Sequence, residues 1–289
     1  MQKARDIKRR IRSVENTRKI THTMEMVATS KMRRAEERVR AARPYAAKLA
    51  EVISGLFAPE LAEQYSILRQ PHEIRRSALV LLTSNRGLAG AFNVNLIRRA
   101  REALAALEAA GTRVELHVVG RKGIAFFRFR GVAMASTRQD IEDRPTMEDA
   151  SSIIDPLLER FEAGELDAID IVYAQFKSAL STPPAVMRVL PLRPPEGRDR
   201  SMHLNYLFEP SAEDILTFVL PLYVRQAAYR ALVETAAAEQ GARRTAMKNA
   251  TDNADELVKN LTREYNRARQ SQITQELAEI TGGAEALRG

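Results

Sequence analysis

Cysteine is absent from this sequence. That excludes a disulfide framework, thiolate metal sites and a cysteine nucleophile, and it fits a reducing compartment. No run approaches 18 uncharged apolar residues, so no membrane-spanning helix is predicted. The opening MQKARDIKRRIRS lacks the apolar core of a secretion signal and runs directly into a patterned helix, so it reads as mature protein. Histidine is scarce: His22, His72, His117 and His203 show no metal-ligand spacing such as i, i+4. There is no Gly-Lys-Ser/Thr phosphate loop and no G-x-S-x-G nucleophile elbow. These absences leave no positive case for an enzyme, and no metal or cofactor is called for. Glycine is missing between Gly241 and Gly282, and proline is missing after Pro221. Nothing therefore interrupts a helix over that stretch.

The charge that is present lies at one end. The chain carries a net +8, yet residues 1–43 alone hold 14 Lys/Arg against 5 Asp/Glu. A positive field so localised seeks an acidic partner: nucleic acid, lipid headgroups or an acidic protein surface. Arg9, Arg10, Lys31, Arg33 and Arg34 could meet phosphates. Residues 1–44 contain no aromatic side chain on which bases could stack. A solvated basic face and an acidic protein partner stand beside nucleic acid as readings of this segment.

Both ends of the chain have helical periodicity. Ile7, Ile11 and Val14, then Ile20, Met24 and Val27, and then Ala35, Val39, Ala42, Ala46, Leu49, Ile53 and Leu56 recur three and four residues apart. This predicts one long helix to about residue 57, with a bend at Pro44. From about Ser211 a second long helix is expected, with seams Met247, Ala250, Ala254, Leu257, Leu261 and Ile273, Leu277, Ile280, Ala284, Leu287. At about 1.5 Å per residue its roughly 75 residues would reach about 110 Å, more than a globular core needs. The two helices are expected to bury their seams against each other as an antiparallel coiled coil. Asn249, Thr251, Asn253, Asn266, Gln270, Gln272 and Thr274 add short uncharged polar groups, which suit a surface that touches a partner without forming strong ion pairs.

Between the ends the period changes. Ala78 to Leu82, Val114 to Val119 and Ile169 to Ala174 are short continuous apolar runs, the mark of buried parallel strands. Helices are expected from Asn93 to Ala110 and, capped by Thr146, to about Ala163. The alternation predicts an α/β domain over residues 74–200 with a mostly parallel sheet. Residues 183–203, rich in proline and then polar, read as an irregular connection. The turn Ser84-Asn85-Arg86-Gly87-Leu88-Ala89-Gly90-Ala91-Phe92-Asn93 follows a strand and opens a helix, where a phosphate could sit. It does not match G-x-G-x-x-G, and a tight turn packed closely by its glycines is the favoured reading.

The residues then show a resemblance. IKRRIRSVENTRKITHTMEMVATSKMRRA (7–35) resembles the N-terminal signature of the gamma subunit of F-type ATP synthases. AMKNATDNADELVKNLTREYNRARQSQITQELAEITGGAEAL (246–287) is similar to that family's C-terminal signature, and SNRGLAGAFN, VGRKGIAFF and NYLFEP to its internal landmarks, in the same order. The resemblance covers essentially the whole chain. It implies a central rotor stalk: a coiled coil of residues 1–57 and 211–289 inside a head of alpha and beta subunits. The α/β domain, Rossmann-like on this resemblance, would stand beside the epsilon subunit and the ring of c subunits, peripheral to the cytoplasmic face of a bacterial plasma membrane. ATP chemistry would stay on beta, with neither cofactor nor nucleic acid bound by this chain. Carried over by position, Met24, Arg243, Gln270, Thr274 and Glu276 would touch the head, Phe208 and Glu209 the c ring, and Arg86, Gly87 and Gly90 would form the base-domain turn.

The departures from the pattern are specific. The turn has Asn85 where the family usually has aspartate, and Ala89 and Ala91 where it has a cysteine and a second adjacent glycine. Gly241 and Pro221 fall inside the predicted helix, Arg244 stands where an apolar residue is usual, and Phe208 lacks the usual tyrosine hydroxyl. The cysteine-bearing insert of chloroplast forms is absent, which points to a bacterial enzyme.

Overall fold

The computed structural model describes residues 2–56, 65–178, 181–192 and 212–286. Two long helices, α1 (Gln2–Leu56) and α5 (Ala212–Ala286), flank everything else. In chain order between them come a 3-10 turn (Ser66–Leu68), β1 (Arg76–Leu82), α2 (Phe92–Ala109), β2 (Arg113–Val119) and α3 (Arg121–Phe129). β3 (Ser136–Arg138), α4 (Met147–Glu162), β4 (Ala168–Ala174) and β5 (Pro184–Leu190) follow. The helices run on through Pro44 and Pro221. The chain divides into two compact units, Thr29–Ala242 and Met1–Ala28 with Arg243–Gly289.

In the larger unit the five strands lie in the order β3-β2-β1-β4-β5. β1 pairs in parallel with β2 and β4, and β2 with β3; only β5 runs antiparallel, against β4. β1 is buried from Ser77 to Leu82 and β4 along its whole length, as expected of parallel strands covered on both faces. Side chains alternate between two cores. Ala78, Val80, Leu82, Ile169 and Ile171 join Ile154, Leu158 and Phe161 of α4 on one face. Leu79, Leu81 and Val172 join Phe92 and Leu96 of α2 and Ile124 and Phe127 of α3 on the other. Helix α4 starts where its sequence signals it: the Thr146 hydroxyl accepts from Asp149 N–H at 3.2 Å, and Asp149 accepts in return from Thr146 N–H at 2.8 Å.

Two expectations are corrected here. The stretch 183–203 does not begin as an irregular connection, because Pro184 to Leu190 form strand β5. Pro184 is the first residue of an edge strand, where a missing N–H costs no ladder bond; the part from residue 193 onward lies outside the described residues. Second, Ala35, Val39 and Leu49, expected as a coiled-coil seam, are buried in the sheet's own cores. Leu220, Val224 and Leu232 of α5 belong to one core and Val233, Ala237 and Ala238 to the other. From Ala231 to Ala238 that helix is buried all round. Its alanines explain how, since small side chains let a helix approach on every side.

In the smaller unit the two helices pair antiparallel. Arg18 reaches Asp255 at 2.7 Å and the Thr251 hydroxyl donates to that of Thr21 at 2.8 Å. Ile7, Ile11, Val14, Thr21, Met24 and Ala28 are the more buried positions of α1 here, a three–four repeat facing Met247, Thr251, Ala254, Val258 and Leu261 of α5. The expected second seam is not one. Ile273, Leu277 and Ile280 are exposed, and among the described residues nothing covers them; Leu257, expected in the first seam, is exposed as well. With Arg18 beside Asp255, α1 runs out opposite about Gln270, so the later turns of α5 have no facing helix.

Candidate functional site

The turn after β1 is built from its own polar groups. Ser84 N–H donates to Asn93 Oδ1 at 3.0 Å, and the Ser84 hydroxyl donates to Arg86 C=O at 2.6 Å. The Asn85 amide donates to the carbonyls of Gln139 and Ile141 at 2.9 and 2.8 Å, while its oxygen accepts from Arg121 N–H at 3.0 Å. Asn85 thereby ties the ends of β1, β2 and β3 together, which a solvent-facing phosphate loop would not do. The geometry favours the tight-turn reading. Gly90 has φ +57 and Leu88, a non-glycine, φ +64 with its side chain exposed. Gly87 needs no special backbone conformation, and a Cβ there would meet only the end of Lys122 at 3.5 Å, ordinary contact. Arg86 points to solvent.

The glycines that this corner requires lie on the neighbouring connection. At Gly120, φ is +96, and a Cβ would fall 2.1 Å from the backbone oxygen of Thr83; at Gly123 it would fall 2.8 Å from the Thr83 hydroxyl. The same hydroxyl donates to Val119 C=O at 2.8 Å and accepts from Gly123 N–H at 3.0 Å. Sequence reasoning treated VGRKGIAFF only as a landmark. Its signal was the glycine directly between an apolar strand and a helix.

The residues carried over for contact with the head fall on the paired helices. Met24 is half-buried, at a position in register with the more buried residues of α1. Arg243 is buried, 8% exposed. Gln270, Thr274 and Glu276 are exposed; the Thr274 hydroxyl donates to Gln270 C=O at 3.0 Å and Glu276 accepts from Gln272 at 2.9 Å. The Thr274 and Glu276 tips bond along the helix, and the apolar Ile273, Leu277 and Ile280 are exposed on the same turns. Thr251, expected on a polar outer face, lies instead in the seam. Phe208 and Glu209 lie outside the described residues. Of the basic residues, Lys31 forms an ion pair with Asp143 at 2.6 Å, while Arg9, Arg10, Arg33 and Arg34 are exposed. Burial opposes the charge of Asp143, but the hydrogen bond and charge of Lys31 outweigh it and hold the carboxyl below its ordinary range.

Titratable clusters elsewhere are structural ties. Arg160 grips Glu115 with two bonds of 2.8 and 3.0 Å and lowers its pKa. Arg138 brings the Asp140 carboxyl down to about 2. His117, buried within β2, has its Nδ1 2.7 Å from the Ser136 hydroxyl; burial pulls its pKa below the ordinary value. Among the described residues no three His, Asp or Glu side chains are grouped to hold a metal ion, and no helix is long and apolar enough to cross a membrane.

Fold and surface together define a class: a mixed α/β sheet unit and an antiparallel helix pair, built from one chain whose two ends supply both long helices. The family model described as ATP synthase matches residues 3–287. An ATP synthase gamma chain of Gemmatimonas aurantiaca is 59% identical over the full length of both chains. Those of Frankia casuarinae and Moorella thermoacetica are each 44% identical, over 98% of this chain and 97% and 99% of theirs. Among solved structures, a chain of the Euglena gracilis mitochondrial ATP synthase (OSCP/F1/c-ring) superposes with a TM-score of 0.68 at 20% identity, covering 99% of this chain and 95% of its own. One from the central stalk and c ring of the Tetrahymena thermophila enzyme gives 0.59 at 24% identity, over 80% of this chain. The chain belongs to the gamma-chain family of ATP synthases.

Proposed function

We propose that this chain is the central rotor stalk of an F-type ATP synthase, coupling ion-driven rotation of a c ring to ATP synthesis or hydrolysis on beta subunits. The observation that carries the reading is the 59% identity to an ATP synthase gamma chain over the whole of both chains. In this reading residues 1–57 and 211–289 form the shaft, residues 74–200 the base, and the chain performs no catalysis of its own. Its working site is the peripheral, cytoplasmic side of a bacterial plasma membrane, with alpha, beta and epsilon subunits and the c ring as partners.

The mechanism follows from linkage. A shaft that binds one conformation of a beta subunit better than another shifts that subunit's equilibrium by the difference, and turning the shaft moves the preference to the next subunit. Such a contact must be favourable at every angle and deep at none. The exposed face of Ile273, Leu277 and Ile280 suits this, because apolar contact is non-directional and forms no fixed ion pair. Gln270, Thr274 and Glu276 would form its rim, the last two with polar tips already bonded along the helix. Met24, half-buried, would give a soft thioether contact; lysine there would offer an acidic lever a strong partner and hold the shaft at one angle. Arg243, being buried, would act on the head chiefly by holding the helix pair.

Co-expression with the alpha and beta subunits of the same organism tests the assignment. A co-eluting complex whose sustained ATP hydrolysis depends on this chain is expected. Elution of the chain alone, with turnover of alpha and beta unchanged, would overturn it and turn attention to the exposed basic side chains of α1 and nucleic acid.

A further inference from the structure

Strand β4 outruns its neighbour. The last β1–β4 pairing joins Leu81 to Val172, yet β4 continues to Ala174 and the chain stays extended through Phe176. Gln175 N–H, on the side of β5, donates to Pro183 C=O at 3.0 Å. The N–H groups of Ala174 and Phe176 therefore face the opposite edge, where β1 has ended. Helix α5 fills the gap: Ala174 N–H donates to the Thr235 hydroxyl at 3.2 Å, and Phe176 N–H to Glu234 Oε2 at 3.0 Å. Two successive helix side chains take the place of the missing strand.

Glu234 is 1% exposed. Its other oxygen accepts from Arg230 Nε at 2.9 Å, one turn back on the same helix, so the charge is balanced without adding anything to the helix–sheet joint. For stability alone a buried carboxylate is no better than a well-packed apolar side chain. What it adds is direction. The surrounding contacts of α5, from Leu232 and Val233 and the alanines Ala228, Ala231, Ala237 and Ala238, are all apolar, and such non-directional contact resists separation more than it selects one height and rotation. A slip of one residue moves a helix by about 1.5 Å and turns it by about 100°, which would break both bonds at once.

We propose that Glu234 and Thr235 are the positioning residues that fix α5 in height and rotation against the sheet, forming the joint through which torque passes from the base into the shaft helix. This rests on the rotor reading above. The test uses the complete ATP synthase in inverted membrane vesicles, reading ATP-driven ion uptake per ATP hydrolysed. Glu234→Leu is expected to assemble and hydrolyse ATP but to lose several-fold in uptake per ATP. Glu234→Gln, whose amide oxygen can still accept from Phe176 N–H, is expected to recover most of it. If Glu234→Leu fails to assemble, Thr235→Val decides the matter, since it removes one bond with little change of volume; a several-fold loss of coupling supports the joint. Full coupling in an assembled Glu234→Leu or, failing its assembly, in Thr235→Val overturns it, as does a Gln variant no better than Leu. Should the unsubstituted chain support no uptake at all, the rotor reading fails; variants that match a coupled parent remove only the joint.

Discussion

Adding one methyl group to Gly120 should cost far more than adding one to Gly87, although only the latter sits in the conspicuous glycine turn. At Gly120 the φ of +96 is one that L residues rarely adopt, and holding a side chain there costs about 1–3 kcal/mol. The new Cβ would also stand 2.1 Å from the Thr83 carbonyl oxygen, so backbone must move. That backbone is committed: Thr83 N–H donates to Val119 C=O at 2.8 Å and Gly120 N–H to Arg138 C=O at 2.8 Å, joining the ends of β1, β2 and β3. Weakening those bonds adds roughly 1 kcal/mol each, for a total of about 3–5 kcal/mol. Gly87→Ala meets only Lys122 at 3.5 Å with no positive φ, and should stay within about 0.5 kcal/mol of the parent. Urea unfolding of the full chain, followed by tyrosine fluorescence, separates the two. With a slope of about 1–3 kcal/mol per molar, the Gly120→Ala midpoint should fall by at least about 1 M while Gly87→Ala barely moves. Equal midpoints, or a larger fall for Gly87→Ala, would refute the packing argument.

Thr146→Ala removes the hydroxyl half of the capping box of α4 and should cost about 1 kcal/mol, read as a lower urea midpoint; Thr146→Ser should restore it. Thr251→Val deletes the bond to Thr21 inside the helix pair, a loss of about 0.5–1.5 kcal/mol that should appear as faster amide exchange over the turns around Met247 and Ala254. His117 gives a pH dependence of definite sign. Burial lowers its folded pKa below the ordinary 6.5, so its contribution to stability is complete above about 6.5 and is lost as pH falls from there through the folded value, where the unfolded chain binds the proton first. His117→Gln should flatten stability across that acid window, and a titration of the His117 ring by NMR with a midpoint above 6.5 would contradict the sign.

What could be read in advance was local and periodic. β1 declared itself as an apolar run because a parallel strand covered on both faces must be apolar on both; β2 and β4 were legible from their Val, Leu and Ile although Glu115, His117 and Asp170 interrupt them, each tied to a neighbouring side chain. The start of α4 was legible because Thr146 and Asp149 satisfy each other within one turn. Strand β5 was not, since its prolines suggested a loop; only the knowledge that Pro184 begins an edge strand makes them harmless. The seam of the helix pair was half legible. Met247, Ala254 and Leu261 were placed on the buried side, but Leu257 of the same expected seam is exposed, and the apolar row Ile273, Leu277 and Ile280 has the same spacing and faces outward. Spacing says which residues share a face; it does not say what, if anything, lies opposite.

That distinction bears on function. An unpartnered apolar face on one helix and a carboxylate buried on the same helix both break the ordinary solution for a soluble protein, which hides the first and exposes the second. Each becomes reasonable only through something non-local. Glu234 looks like a surface residue in sequence, four places from an arginine with which it can pair along a helix; its meaning comes from the Ala174 and Phe176 N–H groups that lie beyond the end of β1 and are met by Glu234 and Thr235. The outward face of Ile273, Leu277 and Ile280 likewise has no counterpart among the described residues, and exposing three large apolar side chains in one row is a standing cost that a partner surface would remove. On the rotor reading, a helix fastened to the sheet by directional bonds near Glu234 and carrying an exposed apolar row in its last turns would be fixed where torque enters and free to slip where it is delivered.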